Sequence, residues 1–172
     1  NDILIKISDL LSQKKFRIYF NDDIIGTQLG GAMKNVIAIA CGLIKGKNIG
    51  ENARAAIVTR GMSEIVKLGM KMGAKRNTFY GLSGIGDLTL TCTSMKSRNT
   101  NFGYQIAKGE SISSLRKKCV LEGIDSCASI CSLGQIYDVE LPLCNAVYRI
   151  INGVEVDKII SDLLSRPLQF EN

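Results

Sequence analysis

Apolar residues recur at helical spacing along most of this chain of 172 residues. Ile25, Leu29, Met33, Ile37, Ala40 and Ile44 mark one stripe of a 3.6-residue repeat, and the run from Val36 to Ile44 is apolar on every side. A helix without a polar face predicts burial at the centre of a fold. Asn21-Asp22-Asp23 offers a cap for its start, and Lys45-Gly46-Lys47-Asn48 ends it. Ile57, Gly61, Ile65, Leu68 and Met72 predict a second helix over 51–72, stopped by Gly73 and packed against the first. Further helices are predicted over 98–108, 111–118, 124–137, 143–152 and 156–164, the fourth of them entered after Pro142. The region from Asn77 to Thr93, punctuated by Gly81, Gly84 and Gly86, predicts short helices joined by tight turns.

The opening differs from the rest. Ile3, Ile5, Ile7, Leu10 and Leu11 fit a short helix, and Phe16-Arg17-Ile18-Tyr19-Phe20 alternates in the manner of a strand. A lone strand requires a sheet, and none follows. Residues 1–20 are therefore expected to be the remnant, a last helix and strand, of a domain whose body lies upstream, and residues 21–172 a separate helical domain. A first residue that is Asn1 rather than Met agrees with a chain that is a piece of something longer.

Composition narrows the chemistry. The chain has no histidine, and its six cysteines form no CxxC pair. Zinc sites and Ser-His-Asp or Cys-His catalysis are thereby disfavoured, no metal is expected, and any proton transfer falls to Lys, Asp, Glu, Tyr or Cys. Cys127 and Cys131 read as buried thiols on one helix, in a reducing cytoplasm. The formal charge of +6 is scattered, which suits a solvated surface or a small anionic substrate. A nucleic-acid module would gather that charge on one face and interleave aromatics, but only 6% of residues are aromatic, so no nucleic acid is expected. The longest apolar run has nine residues, whereas about 20 span a bilayer, so no membrane insertion is expected.

Two constellations carry candidate chemistry. Gly30-Gly31-Ala32-Met33-Lys34-Asn35 places adjacent glycines and a lysine on the most buried helix. Glycine pairs mark close approach by another helix or by a ligand, and desolvating a lysine ammonium is one way to bring it into proton-exchange range. Taken alone, Lys34 reads more readily as a side chain that snorkels to the surface. Gly84-Ile85-Gly86-Asp87, then Thr91, then Ser97-Arg98-Asn99 form the second set. Asp87 by itself reads as a cap; Ser97 to Asn99 reads either as a capped helix with a surface arginine or as a phosphate site at a helix start. Gly84-x-Gly86 lacks the third glycine and the preceding strand of a nucleotide fingerprint.

Their combination is more specific. The order Asn21-Asp22-Asp23, Gly26, Gly30-Gly31-Ala32, Lys34-Asn35-Val36, Asn52-Ala53-Arg54-Ala55-Ala56, Thr59-Arg60-Gly61, Gly84-x-Gly86-Asp87-Leu88, Thr91-Cys92-Thr93, Ser97-Arg98-Asn99 and Glu122-Gly123 resembles the C-terminal domain of bacterial NAD(P)-dependent glycerol-3-phosphate dehydrogenases over nearly the whole chain. The resemblance implies an all-α multi-helix bundle of the 6-phosphogluconate dehydrogenase C-terminal-domain-like type. It also implies an upstream Rossmann domain that holds NAD or NADP, a homodimer, and reversible reduction of dihydroxyacetone phosphate to sn-glycerol 3-phosphate for phospholipid synthesis. By the same resemblance Lys34 is the proton donor and acceptor, Asn35 its polar neighbour, and Asp87 and Thr91 contacts to substrate and lysine. Ser97, Arg98 and Asn99 hold the phosphate, and Arg98, Val120 and Glu122 touch the dinucleotide. With the dinucleotide domain missing, the chain alone is expected to be inactive. A related hydroxyacid or sugar-nucleotide dehydrogenase is the nearest alternative, and a purely structural helical domain a more distant one.

Overall fold

The computed structural model describes residues 2–117 and 121–165. Its helices are α1 (Asp2–Leu11), α2 (Ile24–Gly46), α3 (Glu51–Lys71), α4 (Arg76–Phe79), α5 (Asp87–Thr93), α6 (Arg98–Ala107), α7 (Ile112–Arg116), α8 (Glu122–Ile136), α9 (Pro142–Ile151) and α10 (Val156–Leu164). Between α4 and α5, Leu82–Gly86 makes one wide turn of π type, kinked at Gly84. The described residues contain no strand, so the fold is all-α.

The fully apolar stretch does become the axis of the bundle. Asp23 caps α2 by accepting the Gly26 N–H at 2.8 Å, and α3, α4, α5, α6, α8 and α9 all pack against the helix that follows. Fourteen of its residues are buried, and each fully buried Ile, Leu or Met among them stabilises the fold by about 1.5–3 kcal/mol. By length and composition α2 is also long and apolar enough to cross a membrane; here other helices take the place of lipid around it. Its closest neighbour is α6. A methyl group at Gly42 would collide with the Thr100 carbonyl, and one at Gly103 with the Ile39 carbonyl, so the two backbones meet through glycine.

Helix α9 is held from a distance. The buried Glu64 carboxylate of α3 accepts the N–H groups of Leu143 at 2.6 Å and Cys144 at 3.1 Å, satisfying first-turn donors that no residue of α9 can reach.

The strand predicted over Phe16–Phe20 does not form. Gln13 and Phe16 exchange backbone hydrogen bonds of 3.2 and 2.9 Å across Lys14-Lys15, and that isolated bridge has no continuation. A β-segment needs a ladder for its N–H and C=O groups, and none is offered among the described residues. Helix α1 forms as predicted, yet none of its residues is buried.

Candidate functional site

The predicted residues converge where α2 is crossed by the turn that precedes α5. Gly30 makes the crossing possible, because a methyl there would stand only 2.9 Å from the Ser83 carbonyl oxygen. The turn therefore lies close on α2 and delivers Asp87, the first residue of α5, to Lys34, one helical turn beyond Gly30. The Lys34 ammonium and an Asp87 carboxylate oxygen form an ion pair, with side chains 22% and 36% exposed. One turn along α5, the Thr91 hydroxyl donates to the Asp87 carbonyl at 2.7 Å and lies 3.4 Å from the second carboxylate oxygen. Half-buried, the pair keeps a charged donor in reach of a small molecule while limiting competition from water.

A second cluster adjoins the first through Asn35. The start of α8 wedges between α2 and α6: a methyl group at Gly123 would sit 2.7 Å from the Asn35 carbonyl oxygen and 2.8 Å from the Asn99 side-chain oxygen. That oxygen of the buried Asn99 accepts the Gly123 N–H at 3.1 Å. Ser97 caps α6 by accepting the Thr100 N–H at 3.3 Å. Arg98 points outward to Glu122 at 2.6 Å, both side chains about half exposed. The N-termini of α6 and α8 thus meet beside residues 34 and 35, and two helix N-termini with a guanidinium make a setting suited to an anion.

The structure accordingly brings Lys34, Asp87 and Thr91 together, and sets Asn35, Asn99, Arg98 and Glu122 next to them. Some side chains point elsewhere than a substrate role requires. The Asn35 amide donates to Gly31 of its own helix at 3.3 Å, and the Ser97 hydroxyl is engaged as a cap. Val120 lies outside the described residues. A groove of about 570 Å³ lined by Lys67, Met70, Lys71, Arg76 and Glu140 contains none of the predicted residues.

Two residues of the neighbourhood escaped the sequence reading. Thr100, fully buried, donates its hydroxyl to the Thr91 carbonyl at 2.7 Å and ties α5 to the start of α6. Asp23 does more than cap α2, since it also binds α4. The cap motif and its place in the family-like order were the signals for Asp23, neither of which points to α4, and Thr100 had none.

Thiol chemistry is not offered here. Hydrogen bonding with the Cys41 thiol, then burial, push the Cys92 thiol well above its ordinary range, and burial does the same for Cys144. Such groups stay protonated and pack as small apolar side chains. Cys127 and Cys131 are buried free thiols, as the sequence suggested. No cluster of three His, Cys, Asp or Glu side chains arranged to hold a metal occurs among the described residues.

Comparison with known proteins identifies the family. The family described as NAD-dependent glycerol-3-phosphate dehydrogenase C-terminus matches residues 23–161. Glycerol-3-phosphate dehydrogenase [NAD(P)+] 2 of Mycobacterium bovis is 49% identical over 158 residues, which cover 91% of this chain and 47% of that protein. The Clostridium perfringens glycerol-3-phosphate dehydrogenase [NAD(P)+] is 44% identical, covering 94% of this chain and 50% of its own length. The crystal structure of glycerol-3-phosphate dehydrogenase from Coxiella burnetii superposes with a TM-score of 0.91 at 36% identity, covering 96% of this chain and 52% of that one. The chain spans about half the length of the curated relatives it matches.

Proposed function

Since the chain belongs to the NAD-dependent glycerol-3-phosphate dehydrogenase family, whose C-terminal part it matches, we propose that it forms the substrate half of an enzyme interconverting dihydroxyacetone phosphate and sn-glycerol 3-phosphate. The observation that carries the reading is the Lys34–Asp87 pair beside the joined N-termini of α6 and α8. Reduction of a ketone leaves an alkoxide that must take up a proton, and in a chain without histidine the Lys34 ammonium is the donor. Asp87 holds that ammonium in place, and Thr91 steadies Asp87. Arg98, Asn99 and the first-turn N–H groups of α6 bind the non-reacting phosphate, so that binding energy from the remote end fixes C2 before Lys34.

The nicotinamide of NAD or NADP supplies the hydride when bound. Fit to that group is partial in this chain: the exposed Arg98 guanidinium and the Glu122 carboxylate can meet the edge of a dinucleotide, and Val120 joins them by family likeness. The rest of its binding belongs to an upstream Rossmann domain, of which residues 1–20 are the last segment, and residues 21–172 form the substrate domain. Cytoplasmic residence and a homodimer complete the proposal, the latter checked by sedimentation of the full-length enzyme.

The reading is tested by Lys34→Ala in the full-length enzyme. Turnover of dihydroxyacetone phosphate should fall by roughly 10³-fold or more with the fold intact. Retained turnover would transfer the proton step to another group. The chain by itself should show no turnover with NADH or NADPH.

A further inference from the structure

Asp23 caps the helix that carries Lys34, eleven residues ahead of it, yet two of its carboxylate's three hydrogen bonds reach well beyond capping. Oδ1 accepts the Gly26 N–H at 2.8 Å, the ordinary cap. Oδ2 accepts the Lys75 N–H at 2.7 Å and the Thr78 hydroxyl at 2.6 Å, joining the start of α2 to α4. The group is 6% exposed, and a methyl at Gly26 would collide with Oδ2, so the chain makes room for this carboxylate.

From Thr78 a short hydrogen-bonded path leads to the site. The Thr78 carbonyl accepts the Gly81 N–H at 3.2 Å, and the Gly81 carbonyl accepts the Gly84 and Gly86 N–H groups at 3.2 and 3.3 Å. Gly86 precedes Asp87. Buried Phe79 braces the path, because a methyl on Gly84 would collide with the Phe79 backbone and one on Gly69 with its ring. The segment thus leaves α2 at Asp23, returns to it at Gly30 through Ser83, and ends at Lys34 through Asp87.

We propose that Asp23 is a positioning residue for the Lys34–Asp87 pair, its carboxylate clamping α4 to the start of α2 and so fixing where the kinked turn delivers Asp87. Its consequence for turnover rests on the function proposed above; the geometry does not. Burial pushes the Asp23 carboxyl up, but the hydrogen bonds from Thr78, Gly26 and Lys75 outweigh it and hold the group below the usual carboxylate value. Lys75, whose ammonium pairs with Asp22 at 2.6 Å, and Asp22 itself are the charged neighbours.

Two substitutions separate the clamp from the cap. Asp23→Asn keeps an oxygen for the Gly26 N–H but puts an amide donor against the Lys75 N–H. Thr78→Val removes the other end of the clamp and leaves the cap untouched. The readout is exchange of the Lys34 ammonium protons with water, followed by 15N NMR on the 172-residue chain without ligands, with circular dichroism confirming intact helices. Both variants should speed exchange roughly fivefold or more, the effect of weakening one charged hydrogen bond. Ser111→Ala, which deletes the cap that accepts the Ser114 N–H at 3.2 Å on α7, should leave it unchanged.

Exchange within about twofold of the parent in both clamp variants, or equal acceleration by Ser111→Ala, overturns the proposal. If Asp23→Asn fails to fold, Thr78→Val alone decides. In the full-length enzyme Asp23→Asn should lower kcat roughly tenfold and leave KM for the ketone phosphate within about twofold. Faster exchange with unchanged kcat removes the catalytic consequence. A parent enzyme without turnover sinks the functional reading, while the exchange data judge the clamp separately.

Discussion

Helices α1 and α2 are both rich in isoleucine and leucine, and they have opposite fates. Beyond its exposed first residues Ile24 and Ile25, the apolar positions of α2 meet other helices, and Met33, Val36, Ile37 and Ile39 are completely shielded from water. Helix α1 carries Ile3, Ile5, Ile7, Leu10 and Leu11, and all of them are exposed, Leu10 to 83%. Periodicity sets which face of a helix must be covered, but burial depends on a neighbour. The bundle supplies one to α2, and the described residues supply none to α1. In the proposed enzyme the dinucleotide domain would cover α1.

Matched substitutions in the two helices can break that contrast. Ile37→Ala opens a cavity beneath α3, where Ile37 packs on Gly61, and should cost about 2–5 kcal/mol in urea unfolding. A loss no larger than that of an exposed site would mean that α2 is not the axis of the bundle. Asp23, where the exposed opening gives way to the core, sharpens the boundary through pH. Hydrogen bonds hold its carboxyl below the ordinary value of 3.8, so its contribution is fully present above that value and is lost as pH falls through the lower folded value. The stability gap between the parent and Asp23→Asn should therefore be flat near neutrality and shrink below about pH 4, as followed by thermal unfolding across pH. A gap that widens in acid would contradict the hydrogen bonding seen here. The smallest effect belongs to α1: Leu10→Asp should change stability by no more than about 0.5 kcal/mol.

The sequence made the same distinction only in part. The starts and ends of α2 and α3 were legible because caps, glycine stops and 3.6-residue stripes are local, and Asp23, Lys47 and Met72 stand at those ends in the structure. The strand expected at Phe16 does not form in this chain for a physical reason: alternation reports preference, whereas a strand exists only with a partner. The Lys34–Asp87 pair spans 53 residues and was reachable through family likeness, not through spacing. The same limit hid the link from Asp23 to Thr78, and the inward turn of Asn99 toward Gly123. Each depends on where a second helix arrives, which no single stretch of sequence encodes.

The carboxylate that α3 lends to α9 ties together the histories of two segments far apart in the chain. The first amides of α9 find their acceptors on Glu64, so that turn cannot be completed until about half the polypeptide has been threaded back onto α3. During synthesis, α9 would stay frayed at its leading end until α3 is already in place. Deuterium uptake at Leu143 and Cys144 would then act as a clock for the closing of the bundle, long after α2 and α3 have met.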